Sequence, residues 1–224
     1  MSDSSKLPSV ESRWATVLEY AVFGLPAMVG ISFALALYWN DGSFGTSDFL
    51  LRLAVAIYIV GLVGGLVLSA LFAVGLYLDA KRVGDADVSW EPSPVLYGVG
   101  GFFVWLAAYY YLYKRYEHTA PGPTWAGWWY GVAASFAVVA VVGITTVLPI
   151  SLTGGILAAV GASVTVLPIA IYKDAVHVRG GESDWFPNPV NYFFAVFVGS
   201  FLLFVPVAVS GYYLYKRHSH VGVP

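Results

Sequence analysis

The chain is built from long apolar runs separated by short charged clusters. Asp, Glu, Lys and Arg are absent from 20–40, 53–78, 92–113, 118–172 and 185–215 and crowd the stretches between them. Apolar runs of about 18 residues or more read as membrane spans, and a soluble core could not bury this many. The first helix is expected over Trp14–Trp39, with Pro26 inside it. The second runs over 49–78, long enough to tilt or project at about 1.5 Å per residue. A third is expected over 94–113. The run Trp125–Tyr172 is too long for one span and breaks near Pro149–Gly155, giving helices over 125–149 and 152–173, the latter with Pro168. A sixth follows over 189–215, with Pro206. The expected fold class is all-α integral membrane, with six transmembrane helices.

A repeat organises these elements. YLDAKRVGDADVSWEPSPVLY at 77–97 returns as YKDAVHVRGGESDWFPNPVNY at 172–192, with nine of 21 positions identical and no gap. Each following run ends in Tyr-Tyr-Leu-Tyr-Lys-Arg-x-x-His, at 110–118 and again at 212–220, the second run being seven residues longer. The chain therefore divides into a polar tail (1–13), a first three-helix unit (14–118), a Pro/Gly-rich linker (119–124), a second three-helix unit (125–220) and a short tail (221–224). Three spans per unit is an odd number, so the second unit is expected upside down relative to the first, a 3+3 inverted repeat. On that topology one face receives six Lys and Arg and the other five, and the positive-inside rule gives almost no orientation.

Within the repeat, Ser93 and Asn188 are the expected N-caps, and Pro94 and Pro189 stand at the first helical position, where a missing N–H costs nothing. Trp90 and Trp185 lie just outside these helix starts. With Lys114, Arg115, Lys216 and Arg217 at the far ends, they read as interface anchors. Gly61, Gly65, Ser69 and Ala73 fall every fourth residue, a small-residue seam for close backbone approach. Gly155, Ala159 and Ser163 form the matching row, so the second and fifth helices are expected to pack against each other or an equivalent partner.

Composition bounds the chemistry. The chain is 58% hydrophobic and 11% charged, with a net charge of −2 and no cysteine, which excludes thiol chemistry and leaves no basic footprint for nucleic acid. No HExxH, GxSxG, P-loop or dinucleotide fingerprint occurs, so neither enzyme activity nor a cofactor is expected. No metal site is expected either, since His218-x-His220 supplies only two ligands and all four histidines read as solvated. The repeated carboxylates Asp79 and Asp174, each in Tyr-x-Asp-Ala at a span end, have two readings. Each is a vestibule or gate carboxylate, or a helix-end residue solvated at headgroup level. On the inverted topology they stand on opposite faces.

The Tyr-Leu-Tyr-Lys-Arg endings and the closing His-Val-Gly-Val-Pro (220–224), after Trp-x-Pro-x-Pro, resemble uncharacterised small multi-pass membrane proteins of archaea. The resemblance implies no activity. Two functions fit a multi-pass protein of the cell membrane with these features. One is a passive channel or facilitator, transporter-like, for a small solute or ion. The other is a non-transporting scaffold or accessory subunit. Its partners would be the bilayer and either a second copy or another membrane protein.

Overall fold

The computed structural model describes residues 7–40, 47–122, 124–147, 161–181, 183–200, 202 and 204–222, and among these the chain is helical, with no β-strand. The helices are α1 (Arg13–Trp39), α2 (Ser47–Gly84), α3 (Pro94–Phe103), α4 (Leu106–His118), α5 (Trp128–Val147), α6 (Leu167–Gly180), α7 (Pro189–Gly199) and α8 (Val205–His220). A π-helical turn, Ala162–Val166, leads into α6. α1 and α2 are each long and apolar enough to cross a membrane. Gly155 and Ala159 lie outside the described residues.

Two expected helices prove to be helical hairpins. The third is broken at Val104 and Trp105, and the sixth between Gly199 and Val205. α3 descends antiparallel to α2. A Cβ at Gly98 would meet the Ala73 carbonyl at 3.3 Å, and one at Gly101 the Phe72 backbone at 3.2 Å. At the tip the Trp105 indole donates from Nε1 to Ser69 Oγ at 2.9 Å. α4 then returns alongside α2, bringing Arg115 back to Asp79. The second copy does the same. α7 starts at the Asn188–Pro189 cap, its tip Ser200 donates from Oγ to the Ser163 carbonyl at 2.8 Å, and α8 returns Arg217 to Asp174.

The physical cause is visible in the residues. Glycines at 98 and 101 let α3 lie directly on α2, and a serine on the long helix or its π turn holds each tip. Pro206, expected inside a continuous helix, instead stands in the first turn of α8, where its missing N–H leaves no helix bond unmade. Among the described residues Pro26 is the one set deep inside an α-helix, while Pro168 sits where the π turn runs on into α6.

The hairpins overturn the inverted arrangement. Each returns the chain to the end it left, so each half contributes an even number of traverses and the second half starts in the same sense as the first. α1 runs antiparallel to α2, with Leu18 against Gly75 and Leu68 against Gly24. α6 is also antiparallel to α1, with Thr165 against Gly30 and Lys173 against Glu19. α2 and α6 are therefore parallel, and the two copies of the motif sit side by side at one end of the bundle, called here the corner end.

The seam has a different partner from the one expected. Gly65 faces the Trp105 ring, Ser69 binds its indole N–H, and Ala73 faces Gly98, so the row on α2 receives the α3–α4 hairpin rather than the long helix of the second half. A Cβ at Gly61 would meet nothing within 4 Å. Ser163 is buried in the π turn.

Candidate functional site

α2 continues to Gly84 and α6 to Gly180, which places Asp79 and Asp174 inside helices instead of in loops. Both are fully buried. Asp79 Oδ2 accepts from Tyr111 Oη and from Arg115 Nε, each at 2.8 Å. Asp174 Oδ2 accepts from Tyr213 Oη and Arg217 Nε, again at 2.8 Å each. The donors come from α4 and α8, where Tyr and Arg lie four residues apart and so share a helix face. The arginines also hold the chain ends: Arg115 Nη2 donates to the Val10 carbonyl and Arg217 Nη1 to that of Gly222, both at 2.9 Å.

The headgroup-solvated reading of the two aspartates is thus corrected, and so is the reading of Arg115 and Arg217 as interface anchors. A helix-end charge can be buried this way because its partner ends an adjacent hairpin limb. Lys114 remains near the surface and donates to Glu117 at 2.7 Å. That bond, with a further one from Tyr113, holds the Glu117 carboxyl below its ordinary range. Lys216 is partly exposed.

An aromatic stack closes each cluster in the same geometry. The Trp90 ring lies 6.0 Å from Tyr97, 5.2 Å from Tyr111 and 5.7 Å from His118. Trp185 lies 6.2, 5.2 and 6.0 Å from Tyr192, Tyr213 and His220. Trp90 and Trp185 are half-buried packing residues of these stacks. His118 and His220, expected to be solvated, stack on the two tryptophans. They also contact Ser89 Oγ and Asp184 Oδ1 respectively, at 3.0 Å each. Ser93 caps α3 through the Leu96 N–H at 3.4 Å, and Asn188 caps α7 through that of Val190 at 3.1 Å.

Between the halves lies a polar network drawn from α1, α4, α6 and the α7 cap. Glu19 of α1 accepts from Lys173 Nζ at 2.6 Å and from Tyr116 Oη at 2.5 Å. The Tyr116 and Tyr172 hydroxyls meet at 2.9 Å. Arg179 donates to the Tyr116 carbonyl, and Asn188 Nδ2 to that of Tyr113 at 3.2 Å. Below this polar layer Phe23, Tyr109, Tyr172 and Phe193 pack ring against ring, at centroid distances of 5.1 to 6.0 Å, and all four are buried. The usable signal in the sequence was that Asp, Tyr and Arg recur together in both copies.

Two surface grooves accompany the site. One of about 530 Å³ lies at the corner end between the start of α1 and the end of α2, lined by Arg13, Lys81, Arg82, Glu11 and Asp85. The other, of about 450 Å³ and mostly apolar, lies along α4 and α7, with Tyr109, Tyr113, Asn191 and Phe194. Among the described residues no group of three or more His, Asp or Glu is placed to hold a metal ion. No family model, curated protein or solved structure matches the chain.

Proposed function

We propose that this chain is a multi-pass membrane protein that acts as a non-transporting scaffold or accessory subunit. On this reading α1, α2, α5 and the segment ending in α6 cross the bilayer. The two hairpins dip in from the corner end and return. Much of α2 supports that setting, since Leu50, Leu51, Tyr58, Val63 and Leu66 are each more than 60% exposed, an apolar surface suited to lipid and not to water.

The same-sense topology also supplies an orientation. Among the described residues Arg52 is the one Lys or Arg at the far end, and all others cluster at the corner end. The positive-inside rule places that end in the cytoplasm. The near balance expected for inverted halves followed from assigning the hairpins as spans.

The observation that carries the scaffold reading is the filled junction. A pathway in a duplicated transporter runs between the halves near mid-depth, and here that space holds the packed rings of Phe23, Tyr109, Tyr172 and Phe193. One feature favours the channel reading: non-helical backbone at membrane depth is tolerated where protein buries it or where it lines a watery cavity, and both hairpin tips are such backbone. The test is flux. Proteoliposomes should pass urea, glycerol, K⁺ and Cl⁻ no faster than protein-free vesicles. Saturable flux of any one, raised by Phe193→Ala or abolished by Tyr109→Trp, would replace the scaffold reading with the channel.

A further inference from the structure

The two halves of the chain meet through non-equivalent faces, and this leaves one copy of each face open. In the internal junction α4 of the first half packs on α6 and α7 of the second. Tyr116 of α4 meets Tyr172 of α6, the Tyr113 carbonyl receives Asn188 of the α7 cap, and Tyr109 stacks on Phe193 of α7. Counterparts of both faces exist through the repeat. Tyr77, Ser93, Val95 and Val99 on α2 and α3 match Tyr172, Asn188, Val190 and Phe194. Tyr215 and His218 on α8 match Tyr113 and Tyr116.

The burial of the matched positions differs sharply. Tyr172 and Val190 are 0% and 5% exposed, whereas Tyr77 and Val95 are 41% and 64% exposed. Tyr116 is 2% exposed, whereas its match His218 lies on the surface, and Tyr113 is half-buried, whereas its match Tyr215 is 68% exposed. Part of the contact's chemistry is kept, although the Tyr109–Phe193 stack is not, since Gly211 and Gly98 stand at the matching positions. Tyr77 keeps the hydroxyl, His218 offers a ring nitrogen in place of the Tyr116 hydroxyl, and Ser93 can donate to the Tyr215 carbonyl as Asn188 does to that of Tyr113. The Glu19–Lys173 ion pair has no counterpart, because Leu78 stands where the copy has Lys173.

We propose that the occupant of each open face is a second copy of this chain, whose α8 seats on α2 and α3 as α4 seats on α6 and α7 within the chain. The contact is heterologous, each copy giving one face and receiving the other, so it propagates head to tail into a ring or a row. It sets neighbouring copies in the same orientation across the bilayer, which a membrane requires. A continuous rank of hairpins results, all dipping from the corner end.

The chain's lack of cysteine allows a clean test. Tyr77→Cys and His218→Cys are introduced singly and together, and membranes are treated with a short bismaleimide. The double variant should give a ladder of dimer, trimer and higher bands, and the two single variants should crosslink only when co-expressed with each other. Absence of the ladder would overturn the proposal. So would dimerisation of either single variant alone, the mark of a two-fold contact. Both positions are exposed or partly so, and an unchanged melting temperature in detergent will show that the fold is kept. The inference names the partner for the scaffold reading and rests on it for the membrane setting, but the two fail separately. Solute flux with an intact ladder would remove the scaffold reading alone, and a missing ladder in a non-conducting protein would remove the head-to-tail contact alone.

Discussion

At the scale of single residues, the buried Asp–Arg pairs bear most on stability. Removing one partner of a buried ion pair leaves the other charged, desolvated and alone, which costs about 3–5 kcal/mol. Asp79→Leu and Arg115→Leu should each destabilise the protein by about that much, and Asp174→Leu and Arg217→Leu likewise. Each double variant should cost clearly less than the sum of its singles, because the stranded charge is gone. Reversible unfolding in detergent checks this, and strictly additive losses would show that the pairs are not coupled. Arg115→Lys should fall between wild type and Arg115→Leu. One ammonium cannot reproduce the planar fork that reaches both Asp79 and the Val10 carbonyl. All four residues were legible in the sequence as repeated identities, but their pairing was not. A continuous helix over 94–113 carries Arg115 to the opposite face from Asp79, and only the turn at Val104 and Trp105 brings it back. The recurrence of Tyr and Arg four residues apart, always downstream of a Tyr-x-Asp-Ala, was the readable trace of the contact.

At the scale of elements, the hairpins depend on how closely α3 can lie on α2, and the glycines grade that approach. Gly101→Leu should be the most damaging of three substitutions, since its Cβ would already press on the Phe72 backbone at 3.2 Å, and main chain cannot swing aside. Gly65→Leu meets the edge of the Trp105 ring at 3.3 Å; overpacking of this kind costs about 1–3 kcal/mol. Gly61→Leu meets nothing and should leave the melting temperature unchanged. If all three behaved alike, the seam would not be a graded contact with the hairpin. Trp105→Phe should lose about 1 kcal/mol, the usual net value of a hydrogen bond, as Ser69 loses its donor. The seam's spacing was readable, but its partner was not, because every-fourth-residue small side chains mark a close contact without naming the helix that makes it. The hairpin break itself left two traces. Pro206 stands in the copy where the first half has none. The two runs also differ by seven residues, about two turns, a mismatch that two continuous helices of equal reach would not share but two hairpins can absorb at their tips.

At the scale of the whole molecule, the decisive quantity is the number of times each half runs the length of the bundle, because it sets the relative sense of the halves. Charge-free runs of similar length gave three crossings per half, and periodicity cannot separate a span from a hairpin whose limbs are both apolar. The structure gives an even number, and three polar bonds across the junction depend on it. Glu19 with Lys173, Tyr116 with Tyr172 and Asn188 with the Tyr113 carbonyl can form only if both corner motifs lie at the same end. Labelling from the two sides of the membrane separates the alternatives. Asp85→Cys follows α2 and Gly180→Cys ends α6; both positions are exposed and neither is in the buried clusters. In inside-out vesicles an impermeant maleimide should label both, and in intact cells neither, because the corner end carries nearly all the Lys and Arg. Ser47→Cys, at the opposite end of α2, should show the reverse pattern. Labelling of Asp85→Cys and Gly180→Cys from opposite sides would restore the inverted repeat, and it would remove the head-to-tail contact as well, since an inverted second half could not offer α8 to α2 and α3 at the same depth.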